Sequence, residues 1–146
     1  MNGTGAARRT RTAAMAMIRG HAPTIALWTL QAVLALMFAM AGLAKVVGDA
    51  VMVEMFATIG IGQWFRYVVG ALEIAGAVGV LVPRLSGLAA LGLVCLMAGA
   101  TLTNLFVLGA SPLLPIGLLV VSALVAWGRW PRTSTVLTNR EARRLR

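Results

Sequence analysis

Apolar residues form long runs along this chain, separated by short stretches that hold most of the charge. No charged residue occurs at 24–44 or at 85–128, and the stretch 64–82 is apolar apart from two side chains. A helix of about 20 apolar residues crosses a hydrocarbon core of roughly 30 Å. The run 85–128 is twice that length, and Gly109-Ala110-Ser111-Pro112 supplies the turn residues that divide it. The pattern therefore predicts four membrane-spanning helices, the fourth of them short for a full crossing: 24–44, 64–82, 86–108 and 113–127.

The only long connection between these helices, at 46–63, predicts a further short helix. Within it, residues 50–59 set apolar side chains against Asp49 and Glu54, a pattern typical of an amphipathic helix that lies in the membrane interface. Gly60 and Gly62 then allow the chain to bend into the second span, because glycine adopts backbone angles that other residues avoid. The predicted fold is an all-α integral membrane protein, a four-helix bundle with this interfacial helix between helices 1 and 2.

The composition agrees with a membrane protein, since 60% of the 146 residues are hydrophobic and only 12% are charged. The net charge of +9 would also suit a nucleic-acid-binding protein, but no nucleic-acid-binding motif accompanies it. If the four spans alternate in direction, all but two of the 13 basic residues share one side of the membrane, the exceptions being Lys45 and Arg66. This bias predicts a multi-pass protein of the cell membrane with both termini in the cytoplasm.

The chain divides into a basic tail at 1–22, a membrane domain at 23–130 and a second basic tail at 131–146. Both tails hold too few apolar residues to bury a core, which predicts disorder or weak helix on the membrane surface. The basic start, the first apolar run and Ala39-Met40-Ala41 together resemble a cleavable signal peptide. The apolar segment is longer than the usual signal-peptide core of about 7–15 residues, so we expect the first span to be retained.

Glu73 is the most informative polar residue, since it lies near the centre of the second predicted span. A carboxylate inside a bilayer costs about 2.5–3.5 kcal/mol unless it is paired, protonated or facing water. Arg66, seven residues earlier, shares its helix face, and Lys45 ends the first span on the same side of the membrane. Thr101 and Asn104, three residues apart, lie in the corresponding half of the third span. These five side chains predict one outward-opening polar pocket formed by the first three spans.

A structural role for the same residues is the alternative. Glu73 would then be held by one buried ion pair with Lys45 or Arg66, and Thr101 and Asn104 would hydrogen-bond between helices. Gln31 in the first span is expected to make an interhelical hydrogen bond of this kind.

Ala71, Ala75 and Gly79 form a stripe of small residues on the second span, which predicts close packing against another helix. Cys95, the only cysteine, is expected to be an inert core residue, and His21 is the only histidine. With one cysteine and one histidine, neither an intramolecular disulfide nor a multi-histidine haem or metal site can form within one chain. We therefore expect no metal and no intrinsic cofactor, and we assign no catalytic residue.

Short motifs in the first two spans and in the turn that follows resemble those of one family. Gly42-Leu43-Ala44-Lys45 ends the first span, Gly70-Ala71-Leu72-Glu73 lies within the second, and Gly76 and Val82-Pro83-Arg84-Leu85 follow. With these motifs, residues 26–128 resemble the DoxX-like family of small bacterial four-helix membrane proteins. Relatives in that family are associated with membrane oxidoreductase systems, including a subunit of thiosulfate:quinone oxidoreductase and a membrane component linked to superoxide and thiol defence. The resemblance implies a membrane partner of a redox system that contacts quinone.

Three functions stay open from the sequence. The first is a membrane subunit of a quinone-linked or thiol-linked redox complex, in which Glu73 and Lys45 grip or protonate a polar head group. The second is a small carrier for a metabolite or proton, in which Glu73 titrates in the pocket. The third is a scaffold whose polar cluster only sets the helix register. The expected partners are the lipid bilayer, the protein subunits of a redox complex and further copies of the chain.

Overall fold

The structure, a computed structural model, describes the backbone of residues 3–144 and the side chains of residues 24–129. Within that part the chain forms five α-helices and one π-helical turn. The tails predicted at 1–22 and 131–146 lie outside the described side chains. In chain order the elements are α1 (Gly3–Val47), α2 (Ala50–Ile59), α3 (Gln63–Leu81), α4 (Ser86–Thr103), the π-helical turn (Asn104–Leu108) and α5 (Leu113–Arg144).

Among the described residues, three helical segments are long and apolar enough to cross a membrane: Thr24–Val47, Gln63–Leu81 and Ser86–Leu108. They coincide with the first three predicted spans to within three residues. Two shorter apolar segments accompany them, Ala50–Ile59 and Leu113–Arg129. The predicted all-helical membrane fold is therefore confirmed, whereas the fourth predicted span corresponds to one of the shorter segments.

Glycines with positive φ angles mark both ends of α2. The Asp49 carboxylate accepts a hydrogen bond of 3.1 Å from the Val51 N–H and so caps the first turn. Gly48 precedes this cap with a φ of 82°, and Gly60 and Gly62 follow the helix with φ of 80° and 104°. Other residues rarely adopt such angles, so the bends around α2 depend on glycine. The short helix predicted at 50–59 is confirmed with the same bounds.

The helices pack as two pairs, α1 on α3 and α4 on α5, and α3 and α4 join the pairs. Apolar side chains fill the space between them, and the large ones that are at most 2% exposed are Leu34, Phe38, Val80, Leu93 and Val125. Many large apolar side chains face outward instead. Such a surface is unusual for a protein in water and suits contact with lipid, whose tails are as apolar as leucine.

α1 and α3 approach closely at Gly42 and Gly70. A Cβ atom at Gly42 would lie 2.7 Å from the Gly70 carbonyl oxygen, and a Cβ atom at Gly70 would lie 2.9 Å from the Gly42 carbonyl oxygen. The two backbones can therefore touch only because neither residue has a side chain. The predicted small-residue stripe behaves differently, because Ala71 and Ala75 are exposed and Gly79 is half-buried. Within one chain, the prediction of close packing is wrong for Ala71 and Ala75.

Candidate functional site

Lys45 and Glu73 form an ion pair between α1 and α3. The Lys45 Nζ atom donates hydrogen bonds to Glu73 Oε2 at 2.8 Å and to Glu73 Oε1 at 3.0 Å. The Glu73 side chain is 3% exposed and the Lys45 side chain is 13% exposed, so the carboxylate is enclosed while the lysine reaches the edge of the bundle. The sequence left Lys45 and Arg66 open as partners of Glu73, and the geometry selects Lys45.

The glycines of two short sequence motifs bring this pair together. Gly42 is three residues before Lys45 on α1, and Gly70 is three residues before Glu73 on α3. Residues three apart lie on the same helix face, so each charged residue projects from the face where the two backbones touch. A Cβ atom at Gly70 would lie 3.0 Å from the Cβ atom of Lys45. The motifs thus combine a close helix contact with a pair of opposite charges one turn away.

Arg66 is 3% exposed, yet it bonds to the backbone of α1 rather than to Glu73. Its Nη1 donates to the Lys45 carbonyl oxygen in the last turn of α1, where helix carbonyl groups lack an intrahelical partner. The guanidinium carbon lies 4.3 Å from the centre of the Tyr67 ring. Lys45 therefore donates to Glu73 through its ammonium group and accepts from Arg66 through its carbonyl oxygen, which fastens α1 to α3 at two points.

Gln63 extends this set of hydrogen bonds to α2. Its Nε2 donates to the Val53 carbonyl oxygen at 2.9 Å, and its Oε1 accepts a bond of 2.9 Å from Arg66 Nε. Phe56, the buried residue of α2, packs against Phe65 with the ring centres 5.9 Å apart. In the sequence Gln63 ends the predicted 46–63 connection, and this role was not predicted. The signal for it was the spacing of three between Gln63 and Arg66, which puts both on one helix face.

The other two predicted pocket residues bond elsewhere. The Thr101 hydroxyl donates to the Met97 carbonyl oxygen at 2.7 Å, one turn back along α4. The Asn104 amide donates to the Ser111 carbonyl oxygen at 3.0 Å and so supports the turn between α4 and α5. The described hydrogen bonds of both residues stabilise the end of α4, and they do not reach the ion pair.

A second polar cluster lies at the opposite end of the contact between α1 and α3. Gln31 is fully buried, and its Nε2 donates to the Val80 carbonyl oxygen at 2.7 Å in the last turn of α3. Arg129, 2% exposed, donates to Gln31 Oε1 through Nε at 3.1 Å and through Nη2, and its guanidinium carbon lies 5.1 Å from the centre of the Trp28 ring. Gln31 thus makes the interhelical bond expected of it.

The burial of Arg129 was missed from the sequence, where it counted among the basic residues at the membrane surface. Ser122, seven residues earlier on α5, is also fully buried. Residues seven apart share a helix face, so the buried face of α5 continues as far as Arg129. That spacing is the signal that could have found it.

An apolar groove of about 520 Å³ runs between α3 and α4. Small residues, among them Ala75, Gly76 and Gly92, line it together with Cys95. Cys95 is exposed in this groove, so the expectation that it is a core residue is wrong. The buried face of α4 passes through Leu93 and Met97 instead.

The ion pair places a hydrogen-bond donor and an acceptor side by side in an apolar surrounding. An ammonium group can donate to a carbonyl oxygen, and a carboxylate can accept a hydrogen bond from a hydroxyl group or take up a proton. Such interactions are stronger in a low-dielectric interior than in water. Within the described part of the chain, no three His, Cys, Asp or Glu side chains group closely enough to hold a metal ion.

Comparisons with known proteins identify the family. Neither a curated protein nor a solved structure matches the chain. The model of the DoxX-like family matches residues 29–127, a range that includes the Lys45–Glu73 pair, α2, α3 and α4. The resemblance seen in the short glycine motifs is therefore confirmed. The chain has the apolar helices of an integral membrane protein and belongs to the DoxX-like family.

Proposed function

We propose that this chain is the membrane-embedded subunit of a redox system, in which Lys45 and Glu73 bind the polar head group of a quinone. The observation that carries the proposal is the Lys45–Glu73 ion pair enclosed between the apolar helices α1 and α3. Charged side chains within a membrane are costly and are functional candidates by default. A quinone takes up two electrons and two protons to become a quinol, and a redox centre on a partner subunit supplies the electrons.

The chemistry of the pair suits such a head group. The Lys45 ammonium group donates a hydrogen bond to a quinone carbonyl oxygen, and the Glu73 carboxylate accepts one from a quinol hydroxyl group. Because Lys45 is the more exposed partner, the head group enters from the end of the bundle where α1 meets α2. The isoprenoid tail stays among the outward-facing apolar side chains and the lipid.

The proposed subunit crosses the membrane four times, with α2 on the outer face and both termini in the cytoplasm. α2 contacts the π-helical turn, which supports placing the 46–63 connection and the 109–112 turn on the same side. The fourth crossing is Leu113–Arg129, about 25 Å of helix at 1.5 Å per residue. Since α5 continues as a helix to Arg144, its backbone groups remain paired where it leaves the membrane.

Copurified quinone tests the head-group site. The full chain is extracted from native membranes in mild detergent, and quinone is quantified per protein after solvent extraction. We expect Glu73→Gln and Lys45→Met to lower bound quinone about tenfold, as the loss of a hydrogen bond to a charged group implies. Glu54→Gln makes the same change at an exposed carboxylate of α2 and should retain quinone. Equal quinone in all variants, each shown to be folded by size-exclusion chromatography, would refute the site.

A membrane scaffold is the second candidate, and one observation favours it. Every buried side-chain nitrogen and oxygen atom in the described part has a hydrogen-bond partner, so the ion pair can also act only as a fastening between α1 and α3. Partner proteins that copurify with a quinone-free wild-type chain would favour the scaffold. Transport of a solute or of protons into liposomes by the same preparation would indicate a carrier instead.

A further inference from the structure

We propose that α2 is a hinged cap that controls access to Lys45 from the aqueous phase, and that Gln63 and Arg66 form the latch that holds it closed. Such a cap acts whatever ligand the ion pair binds, so it goes beyond the redox role proposed above. A cap of this kind requires three features of α2. The helix must lie over the accessible end of the ion pair, the connections on its two sides must be able to bend, and few buried contacts must hold it against the bundle.

α2 lies across the end of the bundle from which the ion pair is reached. It contacts α1, α3 and the π-helical turn that ends α4. Asp49, the residue that caps the first turn of α2, is only four residues beyond Lys45. The first turn of α2 therefore begins beside the more exposed member of the pair, and the rest of the helix extends over the ends of the helices that surround it.

The connections on both sides of α2 are built from glycine. Gly48, Gly60 and Gly62 all have positive φ angles. No atom lies within 4 Å of where a Cβ atom would stand at Gly60, so the backbone angle rather than crowding favours glycine there. Hinge motions are absorbed by a few loop or helix-end residues that undergo large changes of φ and ψ. Residues of this kind flank α2 on both sides.

Only one side chain of α2 is fully buried against the bundle, and four more are half-buried. Phe56 is the only buried residue of α2, whose ten residues are all described. Beyond its contact with Phe65, one hydrogen-bond relay among the described residues joins α2 to the site. Gln63 donates to the Val53 carbonyl oxygen and accepts from Arg66, which donates to the Lys45 carbonyl oxygen. Elements held by few buried contacts open at low free energy.

The relay couples the position of α2 to the residue that forms the ion pair. When α2 lifts, Gln63 loses its acceptor at Val53, and the constraint that Gln63 places on Arg66 weakens. The backbone end of α1 that carries Lys45 then loses part of its support. Opening of the cap therefore exposes Lys45 and loosens its attachment to α3 in the same movement.

Acylation of Lys45 measures this opening directly. Because Lys45 is the only lysine in the sequence, a water-soluble amine-acylating reagent followed by mass spectrometry of its peptide reports on a native residue. We expect Gln63→Leu, which removes both hydrogen bonds at similar volume, to raise the rate about fivefold, the change that one lost hydrogen bond gives in an opening equilibrium. Thr58→Val is the matched control, since this exposed hydroxyl bonds within α2 to the Glu54 carbonyl oxygen, and its rate should equal that of the wild type.

A disulfide between α2 and α3 should hold the cap closed, which is the opposite of the change expected for Gln63→Leu. Phe56→Cys with Phe65→Cys, made in a Cys95→Ala background, places two thiols across the contact that holds α2 down. Their disulfide should lower Lys45 acylation below the wild-type rate, and reduction should raise it above that rate, because the reduced protein lacks the contact between Phe56 and Phe65. A folded Gln63→Leu protein that reacts at the wild-type rate would overturn the cap, as would a disulfide that leaves the rate unchanged. Neither readout involves quinone, so the cap and the proposed head-group site can fail separately.

Discussion

At the scale of single residues, the two members of the ion pair differ in their access to water. Lys45 lies in the last turn of α1 and is the more exposed, and its flexible stem can carry the ammonium group towards the aqueous phase at the helix end. Glu73 lies in the interior of α3 and has a short side chain that is enclosed. Removal of Lys45 therefore leaves a buried carboxylate without its counter-charge, whereas removal of Glu73 leaves an ammonium group that can reach water.

We expect Lys45→Met to lower the free energy of unfolding in detergent by about 3–5 kcal/mol, the cost of an uncompensated buried charge. Glu73→Gln should cost less, about 1–3 kcal/mol, because Lys45 can move to water and the amide keeps a hydrogen-bonding group in place. The double variant should be more stable than Lys45→Met alone, since no unpaired charge remains. Denaturant titrations followed by tryptophan fluorescence measure these differences.

The control for this series is Glu54→Gln, an exposed change that should alter the free energy of unfolding by no more than about 0.5 kcal/mol. Equal losses for Lys45→Met and Glu73→Gln would contradict the asymmetry of the pair. A double variant no more stable than Lys45→Met would show that the two side chains do not interact energetically.

The sequence identified Glu73, Lys45 and Arg66 because charges within or beside apolar spans stand out against their surroundings. Helical arithmetic could not choose between Lys45 and Arg66, since that choice depends on how α1 and α3 cross. For Thr101, the position along the helix indicated its depth in the bilayer. It did not indicate that the hydroxyl group would donate a hydrogen bond to the Met97 carbonyl oxygen of the same helix. A hydroxyl group in a helix has that local alternative at every position, so sequence alone does not reveal its partner.

At the scale of helices, α1 and α3 cap each other's ends. Gln31 of α1 donates to the Val80 carbonyl oxygen in the last turn of α3, and Arg66 of α3 donates to the Lys45 carbonyl oxygen in the last turn of α1. Backbone groups inside a membrane need protein partners because lipid offers none. The two buried polar clusters therefore satisfy helix ends, and this role exists whether or not the ion pair binds a ligand.

The close contact between α1 and α3 predicts that alanine substitution changes the free energy of unfolding differently at Gly42 and at Gly92. Gly42→Ala should lower the free energy of unfolding by about 1–3 kcal/mol, because the added methyl group meets a backbone carbonyl oxygen that cannot move aside. Gly92→Ala, where no atom lies within 4 Å, should be neutral or should raise it by up to about 1 kcal/mol, since alanine favours a helix. Thermal unfolding followed by circular dichroism compares them. A Gly42→Ala protein as stable as Gly92→Ala would contradict the contact.

Helix boundaries were predicted well where the sequence carries local signals, and helix faces less well. The bounds of α2 and the break after α4 follow from glycine and proline, whose backbone preferences act locally. The exposure of Cys95 and the burial of Arg129 depend instead on which face of a helix meets its neighbour. In a membrane protein the lipid-facing and core-facing sides are both apolar, so hydrophobicity does not distinguish them.

At the scale of the whole molecule, the two ends of the bundle have different compositions. One end holds α2, which contacts the π-helical turn, and the basic residues that the structure describes at that end are only Lys45 and Arg66. The other end holds the 82–85 turn with Arg84, next to the Val80 carbonyl group that Gln31 caps. Basic residues are retained on the cytoplasmic side, so this asymmetry predicts the orientation of the bundle.

Thiol labelling in spheroplasts tests that orientation and the fourth crossing together. In a Cys95→Ala background, we expect a membrane-impermeant maleimide to label Thr58→Cys on α2 and Ser111→Cys in the turn before α5, both at exposed positions. Arg84→Cys and Arg132→Cys should react only after the membrane is opened, because the bias of basic residues predicts that both positions lie on the cytoplasmic side. External labelling of Arg84→Cys would show that the bundle has the opposite orientation in the membrane. External labelling of Arg132→Cys together with Ser111→Cys would show instead that Leu113–Arg129 does not cross, since a crossing must separate the two ends of that segment.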